Sequence, residues 1–283
     1  MAPRVAALLL LTALGGLSAA GKGPPRQRFH HLADRNTFVP EMKRLYEQFG
    51  TELREMHAQM RPWCDETRSC KFCDREAEML YMLVRLWRPT NMFEMAPNRG
   101  YSTSWILKAM QHNEHGTLHS FDIHPSAAKF VDRGLQARWN FTVADVRALA
   151  AADTGLMAQY DFIFIDALHL KEFSLWYTRT LLSHQVVQTT PVVIHDIVAT
   201  VDGSGRESEP VYQFLAFSDD VTDTFTLAGE GLTPTPVRPV AAALREVDTF
   251  RAAQGISGAQ KYFSCARDPS IFFLKRAPRN ETP

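Results

Sequence analysis

Short apolar runs alternate with helical patterns over most of the chain, and the runs end at polar residues or turns. The runs have strand length, and the stretches between them repeat apolar residues at spacings of three or four. This alternation predicts a mostly parallel sheet with helices on both faces. We therefore expect a doubly wound, Rossmann-like α/β fold. The predicted seven strands cover residues 92–95, 117–121, 141–143, 160–165, 192–195, 225–227 and 271–274, and the helices near or between them cover 102–111, 126–136, 171–182 and 210–217.

The N-terminal part of the chain has a different pattern. Residues 1–20 contain Arg4, an apolar run over 5–14 and small residues ending at Ala20, which is the layout of a cleaved secretory signal peptide. The run is shorter than the roughly 20 apolar residues that span a bilayer, so we expect no stable membrane span after cleavage. Residues 21–73 are predicted to form a leader and a helical extension, with a helix over 38–60 that packs on the domain or covers a cleft. The main domain is assigned to 74–283.

Four cysteines, at positions 64, 70, 73 and 265, favour two disulfides in an exported chain. Three pairings are possible, and the sequence does not choose among them. Asn140 and Asn280 begin glycan acceptor sequences. These features predict a glycoprotein of the secretory pathway, either retained in its lumen or secreted.

Charge balance argues against a nucleic-acid partner. The chain has 31 basic and 31 acidic residues, so no strongly basic surface is expected. Its 45% of apolar residues is enough for a sizeable core. The sequence gives no oligomeric state.

The turn after the first predicted strand suits an anionic group. Residues 97–100 form the turn, Ser102 is the expected cap of the next helix, and a helix N-terminus presents backbone N–H groups. The turn lacks the Gly-x-Gly-x-x-Gly pattern of dinucleotide sites, and Asp122 follows Gly100 by 22 positions. A nucleoside with a small charged tail is therefore favoured over a pyrophosphate.

Polar residues end the predicted strands, where ligands of such sheets bind. An acid at a strand end can also cap the next helix, and for Asp145 both roles stay open. Asp166 is a stronger functional candidate because it follows a fully apolar run. The candidates are Glu94, Asn98, Gly100, Asp122, Asp145, Asp166, His169, His195 and Asp196.

Five segments together resemble the ordered motifs of class I S-adenosylmethionine-dependent methyltransferases, and most closely the small-molecule O-methyltransferase branch with its sugar and catechol types. The resemblance covers about residues 74–275. The segments are EMAPNRGYST (94–103), SFD (120–122), VAD (143–145), DFIFIDALH (161–169) and VIHD (193–196).

The resemblance implies that S-adenosylmethionine is the cofactor. Asp122 would bind its ribose and Asp145 its adenine amino group, while Glu94 and the turn would hold its amino-acid end. The implied cofactor-binding residues are Glu94, Ala96, Asn98, Gly100, Tyr101, Ser102, Asp122, Asp145 and Asp166.

Methyl transfer requires removal of a proton from the acceptor hydroxyl, and either a histidine base or a metal ion could promote this step. His169 or His195 could act as the base beside Asp166. Alternatively, Asp166 and Asp196 would bind a divalent ion such as Mg²⁺, as in metal-dependent members, although Ile197 stands where those members have an amide. The resemblance implies an O-methyltransferase whose partner is a small-molecule or glycan acceptor. The alternatives are an inactive binding module with the same fold and a nucleotide-dependent oxidoreductase.

Overall fold

The computed structural model describes residue 32 and residues 35–67, 73–182, 190–197, 207–217, 223–226, 238–239, 241–256 and 271–274. The predicted signal peptide, Cys70, Cys265 and Asn280 lie outside these ranges. Cys64 and Cys73 are disulfide-bonded, and Asn140 is exposed on a strand. None of the described helices is both long and apolar enough to cross a membrane.

The described residues form one sheet in which the first five strands of the chain, β1 to β5, run parallel. Its order is β3-β2-β1-β4-β5-β8-β6-β7, with β8 antiparallel to both β5 and β6. The strands are β1 (Asn91–Met95), β2 (Thr117–Asp122), β3 (Trp139–Val143), β4 (Phe162–Ile165), β5 (Val192–Ile194), β6 (Asp223–Thr226), β7 (Arg238–Pro239) and β8 (Ile271–Leu274).

The α/β prediction is confirmed, but the predicted number of seven strands is wrong for this sheet, which has eight among the described residues. The additional strand is β7, two residues paired with β6 at the edge. Two residues leave no alternating pattern in a sequence. Pro239 also argues against a strand except at an edge.

Helices lie on both faces of the sheet. They are α1 (Arg35–Thr67), α2 (Asp74–Trp87), α3 (Tyr101–Asn113), α4 (Ala127–Phe130), α5 (Val146–Ala152), α6 (Lys171–Thr180), α7 (Ser208–Phe217) and α8 (Ala241–Ala253), with short 3-10 helices at Arg133–Arg138 and Leu156–Gln159.

The single helix predicted over 126–136 is wrong. The chain leaves helical geometry at Val131, where ψ is 127°, and Asp132 then accepts the N–H of Gly134 and begins a 3-10 helix. An aspartate that bonds to a nearby backbone N–H competes with a continuous helix.

Side chains of the central strands alternate between two apolar cores. Phe162 and Phe164 of β4 face the core formed with α1, α2, α3 and α8, whereas Ile163 and Ile165 face the core formed with α5, α6 and α7. Leu45 of α1 is fully buried in the first core. The N-terminal helix is therefore a packing element of this core.

This topology fixes where a ligand can bind. The carboxyl ends of β1 to β5 meet at one edge, and the strand order reverses between β1 and β4. In such sheets the crevice lies outside the carboxyl ends at the reversal point.

Candidate active site

The turn between β1 and α3 is held in an unusual backbone conformation. Ala96, Asn98 and Gly100 all have positive φ, at 60°, 52° and 86°. Positive φ is uncommon outside glycine and clusters at functional sites. The turn predicted from the sequence is thus present.

Gly100 is required both by its φ and by the space around it. A Cβ at this position would lie 2.4 Å from the Cγ2 atom of Val131. Gly100 is also the N-cap of α3, so the predicted capping by Ser102 is wrong. The Ser102 hydroxyl instead donates to Glu94 at 2.8 Å.

Glu94 is fully buried beneath this turn. Its carboxylate accepts hydrogen bonds from the hydroxyls of Ser102, Thr103 and Ser120. Burial raises the pKa of Glu94 to about 7, although the three hydroxyls oppose that shift. Glu94 therefore joins β1, β2 and the start of α3 from below the ligand edge.

Asp122 ties the turn to the end of β2. Its two carboxylate oxygens accept the backbone N–H of Asn98 at 3.0 Å and that of His124 at 2.9 Å. Each oxygen keeps a second lone pair, so the carboxylate can still accept from a ligand hydroxyl.

Asp145 caps α5 and forms an ion pair with Arg147, whose Nη2 lies 2.7 Å from its Oδ2. The hydrogen bond from the Arg147 side chain lowers the pKa of Asp145. Capping, one of the two roles left open for this residue, is therefore observed. The second role is compatible with it, because Asp145 also lines a cavity.

A cavity of about 170 Å³ opens at the carboxyl edge. Asp122 and Asp145 supply its acids, and most of its remaining lining is apolar. Ile123 and Leu168 are 62% and 55% exposed there. The lining residues are Met95, Ala96, Phe121, Asp122, Ile123, Ala144, Asp145, Val146, Arg147, Ala167, Leu168 and Phe173.

Tyr101, named among the cofactor-binding candidates, has its side chain in the helical layer. It is 5% exposed, and its ring lies 5.5 Å from that of Trp63 and 6.3 Å from that of Trp105. Burial raises the pKa of the Tyr101 hydroxyl. The side chain of Tyr101 is therefore directed into the helical layer, and only its backbone is available at the ligand edge.

A second cluster follows β4 and β5. The Nδ1 atom of His195 lies 3.0 Å from Oδ1 of Asp166, and its Nε2 lies 3.1 Å from Oδ1 of Asp196 and 3.6 Å from Oε2 of Glu76. Asp196 has a φ of 54°. The ligand atoms of Asp166, His195 and Asp196 lie within 4.8 Å of one another, close enough to bind one metal ion.

Burial and charge act in opposite directions in this cluster. Burial lowers the pKa of His195, but Asp166, Glu76 and Asp196 outweigh it, so the pKa is raised well above its ordinary value. Burial raises the pKa of Asp196 to about 7, with the Asp166 charge adding to the rise and His195 opposing it. The surrounding carboxylates therefore favour the protonated form of His195.

His169 lies at the open side of the cluster, with its side chain 43% exposed. Its Nδ1 atom lies 2.6 Å from Oε2 of Glu207. That hydrogen bond outweighs burial and raises the pKa of His169. Its Nε2 atom lies 3.7 Å from Asp196 and 3.9 Å from Asp166.

The structure brings most of the candidates to one edge, but two further acids of the cluster, Glu76 and Glu207, were not predicted from the sequence. Glu76 lies in the first turn of α2 and Glu207 directly precedes α7, so neither follows a strand of the sheet. Both reach the cluster through tertiary packing, for which a single sequence has no local signal.

Comparisons with known proteins agree with this architecture. Residues 97–197 match a family model described as a methyltransferase domain. No curated protein matches the chain at a significant level.

Three solved structures are similar to this chain, and the first two share its fold. Rv0187 from MTB, solved with bound cofactor, has 14% identity and a TM-score of 0.51 over 78% of this chain and 89% of that one. A Staphylococcus aureus protein provisionally assigned as a caffeoyl-CoA O-methyltransferase has 11% identity and a TM-score of 0.50 over 84% and 100%. The O-methyltransferase TomG from Streptomyces achromogenes, in complex with SAM, has 14% identity and a TM-score of 0.49 over 80% and 89%.

At such identities a shared structure establishes the fold and leaves the substrate open. The matched segment contains the turn after β1, Asp122, Asp145 and the cluster after β4 and β5. The resemblance stated from the five motifs is confirmed: residues 97–197 match the methyltransferase-domain model, and the chain shares the fold of Rv0187.

Proposed function

We propose that this protein is an S-adenosylmethionine-dependent methyltransferase that methylates a hydroxyl oxygen of a small molecule or sugar. One observation carries the proposal: the cavity bounded by Asp122 and Asp145 adjoins the cluster of Asp166 and His169. Leu168 lines the cavity and stands between Asp166 and His169 in the chain. A nucleoside site and a proton-accepting group are thus neighbours.

The cavity has the chemistry that adenosine needs. Exposed Ile123 and Leu168 would be covered by a flat adenine ring, and Asp122 would accept hydrogen bonds from the ribose hydroxyls. Asp145 would accept from the adenine amino group while still bonded to Arg147. When bound, the cofactor supplies an electrophilic methyl group on a sulfonium cation, which nearby carboxylates stabilise.

Glu94 is proposed to support this site from below. Glu94 is fully buried, and its carboxylate oxygens accept hydrogen bonds from hydroxyl groups. It would therefore position the turn, whose backbone would bind the amino-acid end of the cofactor. This differs from the direct contact that the sequence resemblance implies.

The proposed general base is His169. Its side chain is 43% exposed at the open side of the cluster, where an acceptor hydroxyl could reach it, and a general base must lie within hydrogen-bond reach of the proton it removes. His195 is less suitable because surrounding carboxylates keep it protonated. His195 would then act by holding Asp166 and Asp196 together.

The resemblance also implies a divalent ion, and the residues present fit one in part. Ile197 is buried and has no ligand atom, but Asp166, Asp196 and the imidazole of His195 converge. These three residues would hold the ion, which would lower the pKa of the acceptor hydroxyl. The mixed oxygen and nitrogen set suits Mn²⁺, Fe²⁺ or Zn²⁺ as well as Mg²⁺.

The proposed compartment is the secretory pathway. It is supported by the signal-like pattern of residues 1–20 and by the disulfide-bonded Cys64 and Cys73, since disulfides persist in oxidising compartments.

The experiment that tests the function is transfer of a labelled methyl group. Purified protein is incubated with methyl-labelled S-adenosylmethionine and fractions of a cell extract, and the labelled product is identified. We expect label on a hydroxyl of a small molecule or glycan. Cofactor binding without transfer to any fraction would favour the inactive binding module, and preferential binding of a nicotinamide dinucleotide would favour the oxidoreductase.

A further inference from the structure

Glu207 lies between the side chains of His169 and Tyr177, which both come from the segment between β4 and the end of α6. Its Oε2 atom lies 2.6 Å from Nδ1 of His169, and its Oε1 atom accepts the hydroxyl of Tyr177 at 3.0 Å. The Glu207 side chain is only 3% exposed, and Tyr177 is fully buried. Each carboxylate oxygen thus has a fixed partner.

The bond at Nδ1 determines what the other ring nitrogen can do. A carboxylate beside Nδ1 favours the tautomer in which that nitrogen carries the hydrogen. Nε2 is then left with a lone pair when the ring is neutral. That atom faces the ligand edge, 3.7 Å from Asp196 and 3.9 Å from Asp166.

Tyr177 fixes the carboxylate in turn. It belongs to α6, which begins two residues after His169, whereas Glu207 directly precedes α7. The hydroxyl of Tyr177 therefore holds Glu207 against the same helix that follows His169. A base whose second nitrogen is oriented by a buried, hydrogen-bonded carboxylate is the arrangement of catalytic triads.

We propose that Glu207 is the positioning residue of His169: it holds the ring with hydrogen on Nδ1, so that Nε2 accepts the proton of the acceptor hydroxyl, and Tyr177 holds Glu207 in place. The inference rests on the proposed function, in which His169 is the base. The proton passes from the acceptor oxygen to Nε2 as that oxygen bonds to the methyl carbon and the carbon–sulfur bond breaks. Glu207 stays ionised and stabilises the imidazolium that forms.

The tautomer can be measured without an acceptor. Protein labelled with ¹⁵N-histidine is examined by NMR at a pH where the ring is neutral, and the His169 signals are assigned by their loss in His169→Ala. We expect hydrogen on Nδ1 in the wild type and a shift towards the Nε2–H form in Glu207→Ala. The same tautomer in both proteins would overturn the inference.

Turnover gives the second test, as a double-mutant cycle. Glu207→Ala should lower kcat by about 10- to 100-fold, part of the ~10²–10⁴-fold that a positioned base contributes, with KM little changed. In the His169→Ala background it should cause no further loss. Glu207→Gln, which keeps an oxygen acceptor, should retain more activity than Glu207→Ala.

Glu209→Gln is the matched control. Glu209 is exposed and pairs with Lys171 at 2.6 Å, so it links the same two regions without touching His169. The kcat of Glu209→Gln should equal that of the wild type. An equal loss from Glu207→Ala in both backgrounds would assign Glu207 a purely structural role and overturn the inference. Failure of the proposed function is distinguishable, because it would appear as a wild-type protein that does not bind S-adenosylmethionine.

Discussion

The carboxylate of Asp122 accepts the backbone N–H of Asn98 at 3.0 Å and thereby joins the end of β2 to the turn after β1. The same side chain lines the cavity at the carboxyl edge. One carboxylate thus shapes the turn and lines the cavity. Since the turn is fixed by internal bonds, the proposed cofactor site is largely organised before a ligand binds.

Gly100→Ala should destabilise the fold. The residue has a φ of 86°, and its new Cβ would lie 2.4 Å from Val131. Strain of this kind costs about 1–3 kcal/mol, which urea denaturation would measure as a smaller free energy of unfolding. Gly50→Ala is the control, because Gly50 lies within α1 and alanine there meets ordinary contacts. It should be neutral or stabilising, and equal losses in both variants would contradict the account.

Glu94→Gln should change how stability depends on pH. The folded-state pKa is about 7 and the ordinary value 4.5, so the folded protein keeps a proton that the unfolded chain releases between these values. The stabilising contribution is therefore full below about pH 4.5 and is lost as the pH rises to about 7. The unfolding free energy of the wild type minus that of the variant should fall from pH 4.5 to 8.

The control for this measurement is Asp145→Asn. The pKa of Asp145 is lowered by its bond to Arg147, so its contribution is constant at high pH and is lost only at acidic pH. The difference in unfolding free energy between the wild type and Asp145→Asn should not change between pH 5 and 8. If the corresponding difference for Glu94→Gln also did not change over this range, the raised pKa of Glu94 would be ruled out.

His169→Ala should lower turnover without weakening cofactor binding. Loss of a general base typically costs about 10²–10⁴-fold, while the ring lies outside the residues lining the cavity. The acceptor found by label transfer would be used for kcat, and calorimetry would give the cofactor Kd. His115→Ala, before β2 at the opposite edge, is the control. Unchanged turnover in His169→Ala would exclude the base role.

Asp196→Ala should remove binding of a divalent ion. Titration of the chelator-treated protein with Mn²⁺ or Mg²⁺ should give one site in the wild type, because Asp166, His195 and Asp196 converge. Asp132→Ala, which removes an exposed carboxylate that does not belong to this group, should bind the ion as the wild type does. If the wild type bound no ion and a chelator did not change its turnover, His169 would remain as the group that removes the acceptor proton.

The part of the site that could be predicted from the sequence consists of residues at the ends of strands. The turn from Ala96 to Gly100 follows β1, Asp122 ends β2 and Asp166 follows β4, so the sheet topology brings them to one edge. Glu207 and Glu76 could not be predicted in this way, because each reaches the cluster from outside the strand ends.

Local competition explains the other differences. Ser102 has the chemistry of a helix cap, yet its hydroxyl bonds to Glu94 across the core, and a left-handed Gly100 takes the cap position. The predicted helix over 126–136 is divided because Asp132 bonds to Gly134. In both cases a specific partner outweighed a general preference.

Calorimetry of S-adenosylmethionine binding to the wild type and to Asp122→Ala tests the central claim most directly. Asp153→Ala is the matched control, since Asp153 also accepts a backbone N–H two residues ahead, at 2.8 Å, but does not line the cavity. We predict Kd values of about micromolar order for the wild type and the control, and loss of binding in Asp122→Ala. Absence of binding in the wild type, or equal affinity in all three proteins, would contradict the account.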